Sequence, residues 1–338
     1  MRPGNVRPAL LLLAAALLTA RVARGAGPAD LKVDLERRGN TVVVVVGGHP
    51  FTTFYFGPES PKPYLHPLRS AQGTIVTRGY PMVKNIPGES RDHPHHRALY
   101  YAHGDINGVD FWGEGPSTKA AGTAHGKFYA AGELPTGRTE FRQLDQAQGG
   151  ADSGALQADF TLVGPDGKPM GDETQAYVFR GDATTRTIDC TFTLRATHGP
   201  LKMGDTKEGT FAIRVVKALE GPTGHMLNSE GGVGEKQIWG KRANWVDYSG
   251  TVGGESLGIA IFDNPSNPKH PTYWHAREYG LFAVNPFGEH DFYNDPKRDG
   301  STTIPAGGSL TFRYRVLIHH GDASQAQVAE AYRQYAAQ

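Results

Sequence analysis

The chain holds one cysteine, Cys190, in 338 residues, so no disulfide can form within it. In "TIDCTFTL" that cysteine alternates with Ile188, Phe192 and Leu194 on one side and threonines on the other. This places it on the buried face of a strand as a small hydrophobe rather than a catalytic thiol. Charge of one sign is lacking as well. Lysine plus arginine number 35 and aspartate plus glutamate 34, a net charge of +1. A nucleic-acid partner would ask for a basic excess, and there is none. Long apolar runs are also missing: the longest, Ala9 to Ala20 ("ALLLLAAALLTA"), has twelve residues against the roughly 20 a bilayer span needs. Preceded by Arg2 and Arg7 and followed by Ala23-Arg24-Gly25, it reads as the core of an export signal. The expectation is a signal peptide over 1–25 and a single mature domain over 26–338. That domain would be soluble, without a membrane span, in the periplasm or outside the cell.

Helical periodicity is scarce, and period-2 alternation recurs. "GTFAIRVV" sets Phe211, Ile213 and Val215 against Thr210, Ala212 and Arg214. "LTFRYRVLIHH" sets Leu310, Phe312, Tyr314, Val316 and Ile318 against Thr311, Arg313 and Arg315. These patterns predict strands with one face toward a core. "TVVVVVGG" at 41–48 reads as a strand buried on both faces. The 44 glycines and 23 prolines fall mostly between such runs, as turns and long loops require. Only the C-terminus reads as a helix, capped by Asp322 or Ser324 and striped by Val328, Tyr332 and Tyr335. The fold class is all-β: one large antiparallel β-sandwich with long loops and a C-terminal helix.

Polar and aromatic side chains crowd into four segments. "RDHPHHRALYYAHGDINGVDFW" (91–112) carries His93, His95, His96, His103, Asp110 and Trp112. "MGDTKEGTFAIR" carries Asp205 and Glu208. "GKRANWVDYSG" carries Trp245, Asp247 and Tyr248. "NPKHPTYWHAREYGLFAVNPFG" carries Trp274, His275, Arg277, Tyr279 and Asn285. Read as extended, "DHPHH" projects His93 and His95 from one face and His96 from the other. Two imidazoles on one face suit a divalent metal, so His93 and His95 are the metal candidates, and a metal is the one cofactor the residues leave open. Imidazoles also serve as acid, base or hydrogen-bond partner to a substrate. Glycoside cleavage wants two carboxyls about 5 to 9 Å apart, for which Glu208, Asp205, Asp247 and Asp110 are the candidates. Indole rings beside Asp, Asn, Arg and His suit a sugar, whose C–H faces stack and whose hydroxyls hydrogen-bond.

Five motifs in order, "YLHPLRSAQGTIVTRGYP", "DHPHHRALYYAHGDINGVDFW", "GTFAIR", "KRANWVDYSG" and "HPTYWHAREYGLFAVNPFG", resemble the PmoA-like domain family of exported bacterial proteins. Ala98 stands where that family usually has glycine. The family's "methane oxygenase" label is shared with a multi-pass membrane subunit whose spans this chain lacks. The histidine loop ending in Asp-Phe-Trp and the late "IPAGGSLTFRYRVLIH" strand are similar to the galactose-mutarotase-type supersandwich, which implies a histidine and a carboxylate set across a sugar ring. The reading is a carbohydrate-active lyase, hydrolase or epimerase taking a small-molecule or oligosaccharide substrate. His95 and His96 are its acid or base and Glu208 the partner carboxylate. His93, His103, Asp110, Trp245, Asp247, Trp274, His275, Arg277 and Asn285 are its substrate contacts, with Trp245 stacking on the sugar. A metal-dependent enzyme and a non-catalytic glycan-binding module are the alternatives. All of them require the histidine, "KEG" and "WHAR" segments to meet at one mouth of the sandwich.

Overall fold

The computed structural model describes residues 30–114 and 134–338. The signal peptide expected over 1–25 lies outside the described residues. Two eight-stranded antiparallel sheets stack face to face. In spatial order the first sheet runs Val33–Arg38 (β1), Thr41–Val46 (β2), His49–Tyr55 (β3), Tyr64–Leu65 (β4), Leu99–His103 (β5), Gly209–Arg214 (β11), Leu281–Asn285 (β16) and Tyr273–Ala276 (β15). The second runs His225–Asn228 (β12), Trp245–Val252 (β13), Glu255–Asp263 (β14), Ser309–His320 (β18), Arg186–Arg195 (β9), Pro169–Gly181 (β8), Gly154–Val163 (β7) and Arg138–Gln148 (β6). Leu201–Met203 (β10) and Thr302–Ile304 (β17) pair separately. Among the described residues there are three α-helices: Glu235–Ile238 (α1) and Glu289–Tyr293 (α2) between strands, and Val328–Ala336 (α3) after the last strand. Tight turns close the long hairpins. Gly47 and Gly48, at φ of 60° and 80°, join β2 to β3, a conformation in which a side chain would be strained.

Period-2 alternation sorts each strand between core and outer face. Leu99, Tyr101, Phe211, Ile213, Phe282 and Val284 of the first sheet face Cys190, Phe192, Tyr248, Ile259, Tyr314 and Val316 of the second in one buried cluster. Rings interlock across the layers: Tyr101 stacks on Phe192 at 4.3 Å, Tyr248 on Phe282 at 4.6 Å and Phe211 on Tyr314 at 5.1 Å. Cys190 is buried among them.

Two sequence expectations need correction. The valine run of β2 buries Val42, Val44 and Val46 but leaves Val43 and Val45 half-exposed, because the core covers only one side of that sheet there. The stripe of α3 is as expected, with Val328, Tyr332 and Tyr335 buried, but its cap is not. Asp322 Oδ1 instead accepts the Ser324 and Gln325 amides in the turn before the helix, and Gln327 begins the helix without a side-chain bond.

Candidate active site on the outer face of the first sheet

At the centre of the first sheet the residues turned away from the core are small. Ala212 of β11 stands opposite Tyr100 of β5 and Ala283 of β16, and Ala283 stands opposite His275 of β15. With Ala102, these alanines pack in one cluster with Tyr64, Tyr100, Trp112 and Leu281, and Tyr279 packs against it. Methyl groups on three neighbouring strands give a low floor with rings around it. Lys62, fully buried, donates to the Trp112 carbonyl and pairs with Glu114 at 3.1 Å, fixing the chain beside the Trp112 ring.

The histidine loop folds over one side of this floor. It is a turn, not an extended segment: the His96 amide donates to the His93 carbonyl at 3.0 Å, and His93 sits at φ 44°. The expected same-face pairing of His93 and His95 is therefore overturned. His93 instead stacks flat on His96 at 4.7 Å and on Tyr279 at 5.0 Å, while His95 meets both histidines edge-on, its ring 5.7 Å from that of His93. Two buried guanidiniums hold the turn. Arg78 donates to Asp92 Oδ1 at 2.7 Å and to the His93 carbonyl at 3.0 Å. Arg214 donates to the same Asp92 oxygen at 3.0 Å and lies 4.7 Å from the Tyr279 ring centre. Asp92 Oδ2 is 3.0 Å from His93 Nδ1. This web holds the Asp92 carboxyl well below its usual range against the opposing cost of its burial.

These contacts settle what the imidazoles can do. Arg214 Nη1 donates to His96 Nδ1 at 3.3 Å, so that nitrogen is an acceptor and Nε2 carries the proton. Burial, reinforced by neighbouring histidines and Arg214, keeps His96 neutral. His275 is the opposite tautomer. Its Nδ1 donates to the Lys207 carbonyl at 2.8 Å, which leaves Nε2 with a lone pair. Burial pushes its pKa down to about 4, with Glu208 opposing, so it is an unprotonated base at neutral pH.

Glu208 sits on the loop that His275 holds from one side. Asn285 Nδ2 holds the same loop through the Thr206 carbonyl at 2.8 Å, and Asp291 Oδ2 accepts the Lys207 amide at 2.8 Å. Lys207 Nζ is 3.5 Å from Glu208. The Glu208 charge is felt at Tyr100, Asp110, His275 and Tyr279, which puts it amid the cluster. Asp110 Oδ1 accepts the Trp112 and Gly113 amides, yet burial still raises its pKa to about 6, with Glu208 adding to the rise. Arg277 stands at the rim, 5.6 Å from the Tyr279 ring and paired with Glu235 at 3.2 Å.

The structure therefore brings together His93, His95, His96, Asp110, Glu208, His275 and Arg277. It does so on the outer face of one sheet rather than at a mouth between two. Five expected contacts lie elsewhere. Trp274 is core, its Nε1 donating to the Ala243 carbonyl. His103 points inward, bonded to the Gly204 carbonyl at 2.9 Å and set against Phe287. Asn285 is a buried brace for the loop of Glu208. Trp245 and Asp247 lie on the outer face of the second sheet, where Trp245 packs beneath α3 and Asp247 bonds His319 Nε2 at 2.8 Å. Asp205 accepts the His290 amide and pairs with that imidazole at 2.8 Å. Arg78, Arg214, Lys62 and Lys207 were not expected. Arg214 had a signal, since it shares the non-core register of Ala212 in "GTFAIR". Among the described residues no group of three or more His, Cys, Asp or Glu side chains is set to hold a metal ion, and no helix is long and apolar enough to cross a membrane.

Residues 41–333 match the model of a family of unknown function, DUF6807. No curated protein matches the chain in sequence. Among solved structures the chain is similar to a galactose mutarotase-like protein from Clostridium acetobutylicum, at 8% identity and a TM-score of 0.43, covering 86% of this chain and 99% of that one. It is similar to a galactose mutarotase-like protein from Lactobacillus casei ATCC 334 at 10% identity and a TM-score of 0.34, covering 85% and 100%. An α-galactosidase from Lactobacillus brevis matches at 7% identity and a TM-score of 0.37, over 87% of this chain and 40% of that enzyme.

Proposed function

The chain belongs to this family of unknown function, and we propose that it is an exported, carbohydrate-active lyase, hydrolase or epimerase binding its sugar over the alanine floor of the first sheet. The observation that carries the reading is the fixed tautomer of His275. Its proton is committed to the Lys207 carbonyl, so a neutral, buried Nε2 stands as a base beside the Glu208 carboxylate. Across the same face Asp110, raised to about 6, keeps its proton up to mildly acidic pH and is the acid of the pair. His96, with Nδ1 taken by Arg214, offers Nε2–H as a donor to a sugar oxygen. The half-buried Tyr279 ring, packed against the cluster that buries Tyr100 and Trp112, is the aromatic group offered to the C–H side of a pyranose. The roles thus differ from the simplest sequence reading: His275 takes the base role, and His95 and His96 line the wall.

The test pairs binding with turnover. A panel of aldohexoses and their methyl glycosides is titrated calorimetrically, and each mixture is followed by proton NMR of the anomeric region. At least one sugar is expected to bind saturably and to change. In His275→Ala and Glu208→Ala variants with unaltered circular dichroism, turnover should drop about 100-fold or more, the usual scale for a lost acid or base. Undiminished turnover in both would overturn the assignment. The stacked rings of His93, His96 and Tyr279 favour a second reading, a glycan-binding module. In that case a sugar binds without product, and Tyr279→Ala weakens it more than His275→Ala does.

A further inference from the structure

Beside the alanine floor, one strand away, lies a cavity of about 580 Å³ that the sugar reading does not use. Its floor is the stacked pair Tyr55 and Tyr64, 4.9 Å apart. Its outer wall is apolar and open to water: Ile75, Val83 and Ile86 are 38, 45 and 38% exposed. Soluble proteins seldom gather large exposed aliphatics around a hollow without something to cover them. The wall is also built rather than frayed. Glu89 accepts the Gly79 and Tyr80 amides at 2.8 Å each, closing the 79–89 loop. A side chain at Gly79 would begin 2.2 Å from Ile86 Cδ1, so the glycine is what lets Ile86 close in.

Arg69, Thr77, Glu89 and His66 break the apolar lining, and the first three have hydrogen-bond partners in the protein. His66 is 6% exposed, and its buried Nδ1 has no hydrogen bond, although its backbone is fully paired with Thr53. Burial, with Arg69 and Arg97 nearby, lowers its pKa to about 4, so it is a neutral acceptor at neutral pH. A buried unpaired imidazole nitrogen costs stability unless a ligand supplies a proton to it. The cavity adjoins the candidate active site through Tyr64, which stands opposite Tyr100 and belongs to the cluster of Trp112 and the alanines, and through Met82, which packs on that cluster.

We propose that this cavity is a subsite for an apolar ring bearing a hydrogen-bond donor, its hydroxyl met by His66, and that the ring is the phenol-like group attached to the sugar. The first clause stands on the cavity alone, and the second rests on the function proposed above. Phenol titrated into the full chain should bind saturably, and anisole, which has no donor, about tenfold more weakly. Ile86→Asp, at an exposed position, should weaken phenol at least tenfold, and His66→Phe should bring phenol down to the affinity of anisole. Glu208→Ala should leave phenol unchanged. Absence of saturable phenol binding, or equal affinity in Ile86→Asp, overturns the subsite. The second clause is read from 4-hydroxyphenyl and methyl glycosides of a sugar that binds: the hydroxyphenyl form, which keeps a free hydroxyl on its ring, should be at least tenfold tighter, with the advantage lost in Ile86→Asp. Equal affinities overturn the aglycone assignment even where phenol binds. If no sugar binds, it is the functional reading that fails, and the phenol titration still decides the cavity.

Discussion

Asp247 with His319 on the second sheet, and Asp92 with His93 on the first, are the same pair of side chains in two settings. Asp247 and His319 bond at 2.8 Å with side-chain exposures of 0 and 2%, sealed close to where α3 lays Val328, Tyr332 and Tyr335 over Trp245, Phe262 and Leu317. The imidazole fits there because Gly258, on the strand between, has no side chain; a Cβ would lie 2.4 Å from His319 Cε1. Asp92 and His93 are 36 and 23% exposed, and what lies over them is rings and guanidiniums rather than aliphatics. One outer face was finished with an apolar helix, so its polar pair is structural. The other was left with titratable groups facing one another, and that is where ligand chemistry can occur.

The sharpest way to break this comparison is to remove one anchor from each face. Asp92→Ala leaves the guanidiniums of Arg78 and Arg214, 1 and 0% exposed, without their shared carboxylate. An uncompensated buried charge costs several kcal/mol, so a loss of about 4 kcal/mol in urea denaturation is expected, together with loss of sugar binding. Trp245→Ala opens a cavity under α3 and should cost about 3 kcal/mol, while sugar binding at a permissive temperature stays as in the parent. Should Trp245→Ala abolish binding as thoroughly as Asp92→Ala, the two faces are not independent and the comparison fails.

The sequence makes the sandwich legible because alternation is a local property: every second residue of "LTFRYRVLIHH" or "TIDCTFTL" meets the core whichever strand lies beside it. The composition of the site was legible too, as three segments dense in imidazole, carboxylate and guanidinium. What could not be read is which outer face a segment joins. "KRANWVDYSG" has the same mixture as "YWHAREYG", but β13 pairs with β12 and β14 in the second sheet, under a helix from the far end of the chain. Nor could the turn at His93 be read, since its left-handed backbone is stabilised by Arg78 from an earlier loop and Arg214 from the distant strand β11. Tautomers lie further still from the sequence: His96 and His275 differ only in which nitrogen meets a donor or a carbonyl.

A gentler probe uses pH. His275 has its folded pKa lowered to about 4 from an ordinary value of 6.5, so its contribution is fully present above 6.5 and is lost as pH falls toward 4. Asp110 runs the other way on the same face: raised to about 6, its contribution is present below its ordinary 3.8 and fades as pH rises through 6. Urea curves for the parent and His275→Gln at pH 7 and pH 4.5 isolate the first effect. The cost of the substitution should be smaller at pH 4.5 by about 2 kcal/mol. An equal cost at both values would mean that His275 is not held neutral by the fold, and its standing as the base would go with it.

The smallest effect tests whether the far face is finished. Arg333 pairs with Glu330 at 2.7 Å on the water side of α3, with side-chain exposures of 72 and 43%. An ion pair so exposed trades side-chain entropy and hydration for little, and Arg333→Ala should shift stability by no more than about 0.5 kcal/mol. Its neighbour Tyr332, turned inward onto Phe262 at 5.7 Å, belongs to the seal itself. The contrast within one helical turn assigns the helix an inside and an outside. A loss above about 1 kcal/mol for Arg333→Ala, which the exposed-pair argument does not allow, would show that the outer side of α3 is itself covered in solution. The second sheet would then carry an interface of its own, and the sealed face would no longer be the inert half of the comparison.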